Sequence, residues 1–162
     1  MDATKRGMTD LPPQLIDAIG AGVCFEYIDI LPTYYADIDD FDWIQEGYRF
    51  NPLTGEDLTS DAEGGWRRGW HVFACNAMDD PFFVDLSEDD PGLPVYFSYH
   101  GEGSWEPVRV ADSLARFVDL LRAIKARDAP SAFDLASLAL GVDLGNRFWA
   151  EVLDTCMELE DE

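Results

Sequence analysis

The chain has 162 residues, with 33 acidic against 11 basic side chains and a formal net charge of -22. Hydrophobic residues make up 47% of it and aromatics 13%, too much apolar surface for a disordered acidic tail and enough to build the core of one domain. A field this negative repels phosphate backbones and anionic lipid, which argues against direct nucleic-acid and membrane partners and for a basic protein partner.

Pro12-Pro13 followed by Gln14 to Gly20 predicts a short helix, with Pro in its first turn and Gly20 as its stop. Val23 to Ile30 is rich in aromatic and β-branched residues and predicts a strand that breaks at Pro32. Tyr34 to Gly47 mixes acids with Tyr35, Phe41, Trp43 and Ile44, and fits either an acidic loop or a short helix. Asn51 to Gly55 reads as a turn, and Ser60 to Gly65 as a second loop. Trp70 to Cys75 then predicts a strand, Asn76 to Pro81 a turn, Phe82 to Leu86 its hairpin partner, and Pro94 to His100 a further strand ahead of a Gly101 to Gly103 turn. Connections this short force antiparallel pairing, because a parallel crossover needs about a dozen residues.

After Val110 the apolar period changes to that of a helix. Leu114, Phe117, Val118, Leu121 and Ile124 share one face, and Asp112 or Ser113 is available as N-cap. Ala132 to Leu140 and Arg147 to Leu159 predict two more helices beyond the break at Pro130, the last amphipathic through Phe148, Val152, Leu153 and Cys156. The fold class is therefore α+β: a mostly antiparallel, twisted sheet of about four to six strands covered by helices, with extra C-terminal helices, in one domain over 1–162.

Constellations that carry chemistry are missing one after another. Cys24, Cys75 and Cys156 are odd in number, far apart and in apolar surroundings, which suits reduced thiols. His71 and Cys75 sit four apart on a strand, on one face but separated, so His71 reads as a hydrogen-bonded core residue and no metal is assigned. His100 reads as a turn residue. Asp37 to Asp42 is superficially like a calcium loop, but Phe41, Asp42 and Tyr48 stand where its fifth, sixth and twelfth ligand-loop positions need other residues. The acid pairs at Asp79-Asp80 and Glu88-Asp89-Asp90 lie in turns with no implied apolar pocket to raise a carboxyl pKa. Gly101 to Glu106 lacks the third glycine of a dinucleotide loop, and Ser104 lacks the flanks of a nucleophile elbow. A non-catalytic binding protein without cofactor is the expectation. No segment approaches the roughly 20 apolar residues of a membrane helix, and the opening residues do not form an apolar signal segment, so a cytoplasmic location is expected.

Five stretches, taken in order, resemble the SUKH superfamily, the Smi/Knr-like domains: Gly69-Trp70-His71-Val72-Phe73-Ala74; Asp80-Pro81-Phe82-Phe83-Val84-Asp85-Leu86; Pro94-Val95-Tyr96; His100-Gly101; and Val110-Ala111-Asp112-Ser113-Leu114 with Phe117 and Leu121. The likeness covers roughly the middle half of the chain and implies a core over about 10–128 with a helical extension over about 129–162. The opening departs from the family, since Gly22 to Ile30 reads as extended and Leu31-Pro32 comes late. The resemblance implies a bacterial immunity protein that binds and neutralises a toxin, often a nuclease, of a polymorphic toxin system. An acidic surface with interleaved aromatics independently suits a basic nuclease face, because charges speed encounter and aromatics anchor the complex. The first candidate patch is Tyr35, Asp37, Asp39, Asp40, Asp42 and Trp43; the second is Asp79, Asp80, Glu88, Asp89, Asp90 and Trp105. A regulatory interaction scaffold is the alternative, and a carboxylate- or metal-dependent enzyme the third reading.

Overall fold

The computed structural model describes residues 11–26, 28–101, 103–126 and 147–160. Its five strands are β1 (Tyr34–Tyr35), β2 (Trp70–Cys75), β3 (Pro81–Asp85), β4 (Val95–Phe97) and β5 (Val108–Ala111). Each pairs antiparallel with the next, so sheet order equals chain order. Three helices accompany them: α1 (Pro13–Ala21), α2 (Leu114–Lys125) and α3 (Arg147–Glu160). The α+β class and the antiparallel sheet expected from sequence are both present. The predicted helix over Ala132 to Leu140 lies outside the described residues.

β3 alternates strictly, so its pairings identify the two sheet faces. Phe82 faces α2 and α3, meeting Phe117 at 5.6 Å and Phe148 at 5.6 Å between ring centroids. Phe83 faces the other way, against Trp66 at 4.8 Å and Trp70 at 4.9 Å. Helices therefore cover one face, and the irregular chain from Trp43 to Trp66 covers the other. This is why all six residues of β2 are buried and why it reads as an unbroken apolar run.

The helix side is tightly specified. Ser113, in extended conformation, accepts a hydrogen bond from the Arg116 amide at 3.1 Å and caps α2, while Arg122 and Lys125 occupy its last turn, where the helix dipole favours cations. The described part of the C-terminal extension, α3, is part of this core rather than an appendage to it. Phe148, Trp149 and Val152 of α3 are fully buried, and the Trp149 indole N–H donates to the Val110 carbonyl at 2.8 Å.

Three expectations need correction. α1 runs through Gly20 and stops at Gly22, whose left-handed φ of 51° lets its N–H return to the Ala18 carbonyl. The described part of Val23 to Ile30 forms no strand. Phe25, Ile28 and Ile30 are buried from irregular backbone, with the Phe25 amide bonded to the Pro32 carbonyl, so their apolar character records burial and not a ladder. Third, a bulge at Phe73 shifts the β2 register, pairing His71 with Val84 but Cys75 with Pro81. Val84 and Pro81 are three apart on β3, so His71 and Cys75 lie on opposite faces.

β1 is too short to cover the edge of β2, and side chains complete it. The Tyr34 and Tyr35 positions pair with Cys75 and Ala74, and the Ala36 amide reaches the Phe73 carbonyl. Beyond that point the Gln45 amide stands in for a strand: its Nε2 donates to the Val72 carbonyl at 2.7 Å and its Oε1 accepts from the Val72 amide at 2.9 Å. The Trp70 carbonyl accepts from Trp66 Nε1 at 3.1 Å and Arg49 Nη1 at 2.8 Å. An edge closed in this way offers no template to another strand. Among the described residues, no helix is long and apolar enough to cross a membrane.

Candidate functional site

The alternation of β1 sends its two tyrosines to opposite faces. Tyr35 turns toward the helix side, packs on Phe73 and donates its hydroxyl to the Val23 carbonyl at 2.8 Å. Its polar tip is thus engaged within the protein, and it leaves the candidate patch. Tyr34, which the sequence reading passed over, faces the other way and meets the Trp43 ring at 6.1 Å.

Trp43 opens a single 3₁₀ turn, Trp43–Gln45, whose Ile44 and Gln45 are buried. That anchoring pushes the indole outward, where it is 47% exposed, the largest aromatic surface offered among the described residues. Preceding it, Asp37, Asp39 and Asp40 form an exposed turn, with the Asp39 amide donating to Asp37 Oδ1 at 2.9 Å. Phe41 plugs that turn into the core by stacking on His71, and Asp42 is half-buried. His71 also contacts the Gly69 carbonyl through Nδ1 at 2.9 Å, which suits the core role read from sequence.

The second patch does not hold together. Asp79 and Asp80 lie in the β2–β3 turn, whereas Glu88, Asp89 and Asp90 follow β3, at the far end of a five-residue strand about 16 Å long. Asp80 is buried. It takes the His100 amide at 2.9 Å and the His100 ring at 2.6 Å on Oδ1, and Asn76 Nδ2 at 3.1 Å on Oδ2. Its carboxylate is consumed in tying the β2–β3 turn to the end of β4 and offers nothing to a partner. Glu88 accepts the Tyr96 hydroxyl at 2.7 Å, Asp90 accepts the Gly92 amide at 3.0 Å, and Asp89 is exposed. Trp105 is half-buried, wedged against Tyr48 at 5.8 Å and Trp66 at 5.1 Å.

Asp79, by contrast, joins the first patch. Its carboxylate accepts the Tyr34 hydroxyl at 2.7 Å and its carbonyl accepts the Tyr48 hydroxyl at 2.5 Å. The Asp79 backbone is left-handed, with φ of 63°, a conformation that aspartate tolerates in turns better than most residues do. Together Tyr34, Trp43, Ile44, Glu46, Tyr48 and Asp79 line a cavity of about 230 Å³. Tyr48 also forms the link to Trp66 and Trp105, and Trp105 borders a wider groove of about 570 Å³ shared with Glu63, Arg67, Trp70 and Glu106. One acidic, aromatic face therefore runs from Trp43 through Tyr48 to Trp105. Tyr34, Glu46 and Tyr48 are the members that sequence reasoning missed; strand alternation, applied to a correctly placed β1, identifies Tyr34.

The electrostatics of this face keep its phenols and its thiol protonated. Burial raises the Tyr48 and Tyr34 phenols well above the ordinary range, and the Cys75 thiol and Asp79 carboxylate add to it. Burial likewise pushes up the Cys75 thiol, which lies 3.7 Å from the Tyr48 hydroxyl and is no poised nucleophile. Among the described residues, no three His, Cys, Asp or Glu side chains gather to hold a metal ion.

A pH dependence follows. Tyr35 and Tyr99 are also raised, chiefly by burial, and Tyr96 is pushed up to about 12 by burial and its Glu88 partner. A raised folded pKa gives stability that is complete below the unfolded value near about pH 10 and disappears as pH climbs above it. Urea midpoints should therefore hold below about pH 8.5, begin to fall above it as the unfolded Cys75 thiol ionises, and fall steeply beyond about pH 10, each well-buried phenol contributing at most about 1.4 kcal/mol per pH unit and the half-exposed ones less. Tyrosinate absorbance should appear with unfolding; phenols that ionise freely in the folded protein near about pH 10 would contradict the burial.

No family model, curated protein or solved structure matches the chain.

Proposed function

We propose that this chain is a non-catalytic binding protein that neutralises a basic protein, in the manner of an immunity protein blocking a toxin of the nuclease type. The reading is supported above all by the face itself, where an exposed Trp43 lines a cavity with the carboxylate-bearing Glu46 and Asp79 on an aromatic layer. Large anchoring rings surrounded by one sign of charge are what fast, tight recognition of an oppositely charged partner uses. The net charge of -22 acts in the same direction, drawing a cationic partner from a distance. The five SUKH-like stretches identified in the sequence fit this reading.

The test is capture on the immobilised protein from native-host lysate, washed at low and then high salt. One small basic protein should survive the high-salt wash, and an equimolar amount of this chain should block its activity. A mixed or empty eluate, or a retained protein whose activity is untouched, overturns the proposal.

A further inference from the structure

We infer that the cavity between Tyr34, Trp43, Glu46, Tyr48 and Asp79 is a receptor for one arginine side chain presented by a protein partner. The inference deepens the reading of this face as the surface that binds a basic protein, and rests on it.

The cavity leaves hydrogen-bond acceptors unsatisfied. Asp79 uses one carboxylate oxygen, Oδ1, to accept the Tyr34 hydroxyl, while its Oδ2 and both oxygens of Glu46 accept no hydrogen bond from a described residue. Among the described residues, no cation pairs with either carboxylate. The cavity is therefore negatively charged, offers several acceptors and has aromatic walls. A cation that carries N–H groups satisfies both features, because ring faces attract positive charge and the carboxylates take its donors.

Geometry then selects among cations. A quaternary ammonium has no N–H to give Glu46 or Asp79. A lysine ammonium is a compact and strongly hydrated charge, whereas a guanidinium is planar, stacks on an indole and spreads five donors in a fixed fork. Acceptors supplied from two chain segments beside the Trp43 ring suit the fork better than the point charge. The receptor is also preorganised. Tyr34 fixes the Asp79 carboxylate, Tyr48 fixes its left-handed backbone, and Tyr48 leans on the buried Trp66 ring at 5.4 Å. Little order has to be gained on binding.

The decisive experiment titrates the full chain with three blocked tripeptides, acetyl-Gly-Arg-Gly-amide and its lysine and citrulline counterparts, following the Trp43 indole N–H and the Glu46 and Asp79 amides by NMR at physiological salt. The global charge attracts both cationic peptides alike, so any difference between them reports the cavity. The arginine peptide should shift these signals saturably, the lysine peptide should bind several-fold more weakly, and the citrulline peptide should do nothing. Trp43→Ala and Asp79→Asn should each weaken arginine binding roughly two- to fivefold, the size of an exposed cation–π or charge contact. Asn keeps an acceptor for Tyr34 and tolerates the left-handed backbone, so that variant tests charge with the turn intact. Equal binding of lysine and arginine, shifts that never saturate, or variants indistinguishable from wild type overturn the inference. Because the peptides need no natural partner, saturable arginine binding without any captured basic protein would leave the receptor standing and remove the proposed function; a captured partner indifferent to Trp43→Ala would do the reverse.

Discussion

Replacing Gln45 with Met should destabilise the protein by about 3 kcal/mol, because it leaves a buried amide and a buried carbonyl of Val72 without partners. Each such orphan costs about 1–3 kcal/mol, and methionine matches glutamine closely enough in volume that packing changes little. For a chain of this length about 1 kcal/mol corresponds to roughly 2–4 °C, so a melting point about 6–12 °C lower is expected. Gln45→Ala adds a cavity and should cost more. A loss under about 1 kcal/mol in Gln45→Met would mean that Val72 finds another partner, and that the edge of β2 is not held by a side chain standing in for a strand. Few substitutions of a polar residue should be so damaging. Gln45 is 1% exposed and lies in a segment otherwise rich in solvent-facing acids.

The same residue shows where the sequence stops being legible. β2 and α2 announce themselves because periodicity, burial and caps agree: an aromatic and β-branched run bounded by turns, and a helix with Ser113 ahead of its apolar stripe. Val23 to Ile30 has the composition of a strand but buries its side chains without pairing its backbone, and composition does not separate those two cases. β5 is four residues long and runs almost directly into the α2 cap, so its period is too brief to register. The bulge at Phe73 reverses the parity of everything after it on β2, and nothing local in Trp70 to Cys75 signals it. The layer over the second sheet face is the deepest concealment. The Asn51 and Ser60 turns are readable as turns, yet beside them Trp66 is a core residue and Tyr48 packs against it, both held by contacts distant in sequence.

The candidate site was legible in its ingredients and not in its assembly. Trp43 and Asp79 each stood out as an aromatic or an acid in an acidic stretch, but they belonged to different patches until β1 paired with the end of β2 and brought Tyr34 to both. Asp79 and Asp80 are alike in sequence and opposite in fate. One projects from a left-handed turn, and the other is buried between Asn76 and His100. Their difference is fixed by the Asn76 side chain, whose Oδ1 accepts the amides of Met78 and Asp80 and curls the turn so that Asp79 stays exposed while Asp80 is buried.

Trp66→Ala should be among the most damaging single substitutions, at about 3–5 kcal/mol, the range for deleting a fully buried aromatic. Trp66 is 1% exposed and its ring meets Tyr48, Trp70, Phe83 and Trp105, so its removal opens a cavity beneath the whole aromatic layer. It also removes the Nε1 donor to the Trp70 carbonyl, one of the bonds that close the β2 edge. Against a total of about 5–15 kcal/mol for a domain, that is a large share, and a melting point lower by about 6–20 °C should result. Trp66→Phe restores a ring but not the donor, and should lose about half as much. Comparing the two separates support from above, which the ring provides to Tyr48 and through it to Asp79, from closure of the edge. If Trp66→Phe retains the melting point yet loses arginine-peptide binding, the ring positions the cavity by shape alone. If both fall together in proportion, the face and the edge of the sheet are one cooperative unit. A Trp66→Ala variant within about 1 kcal/mol of wild type would show instead that this layer is not part of the core.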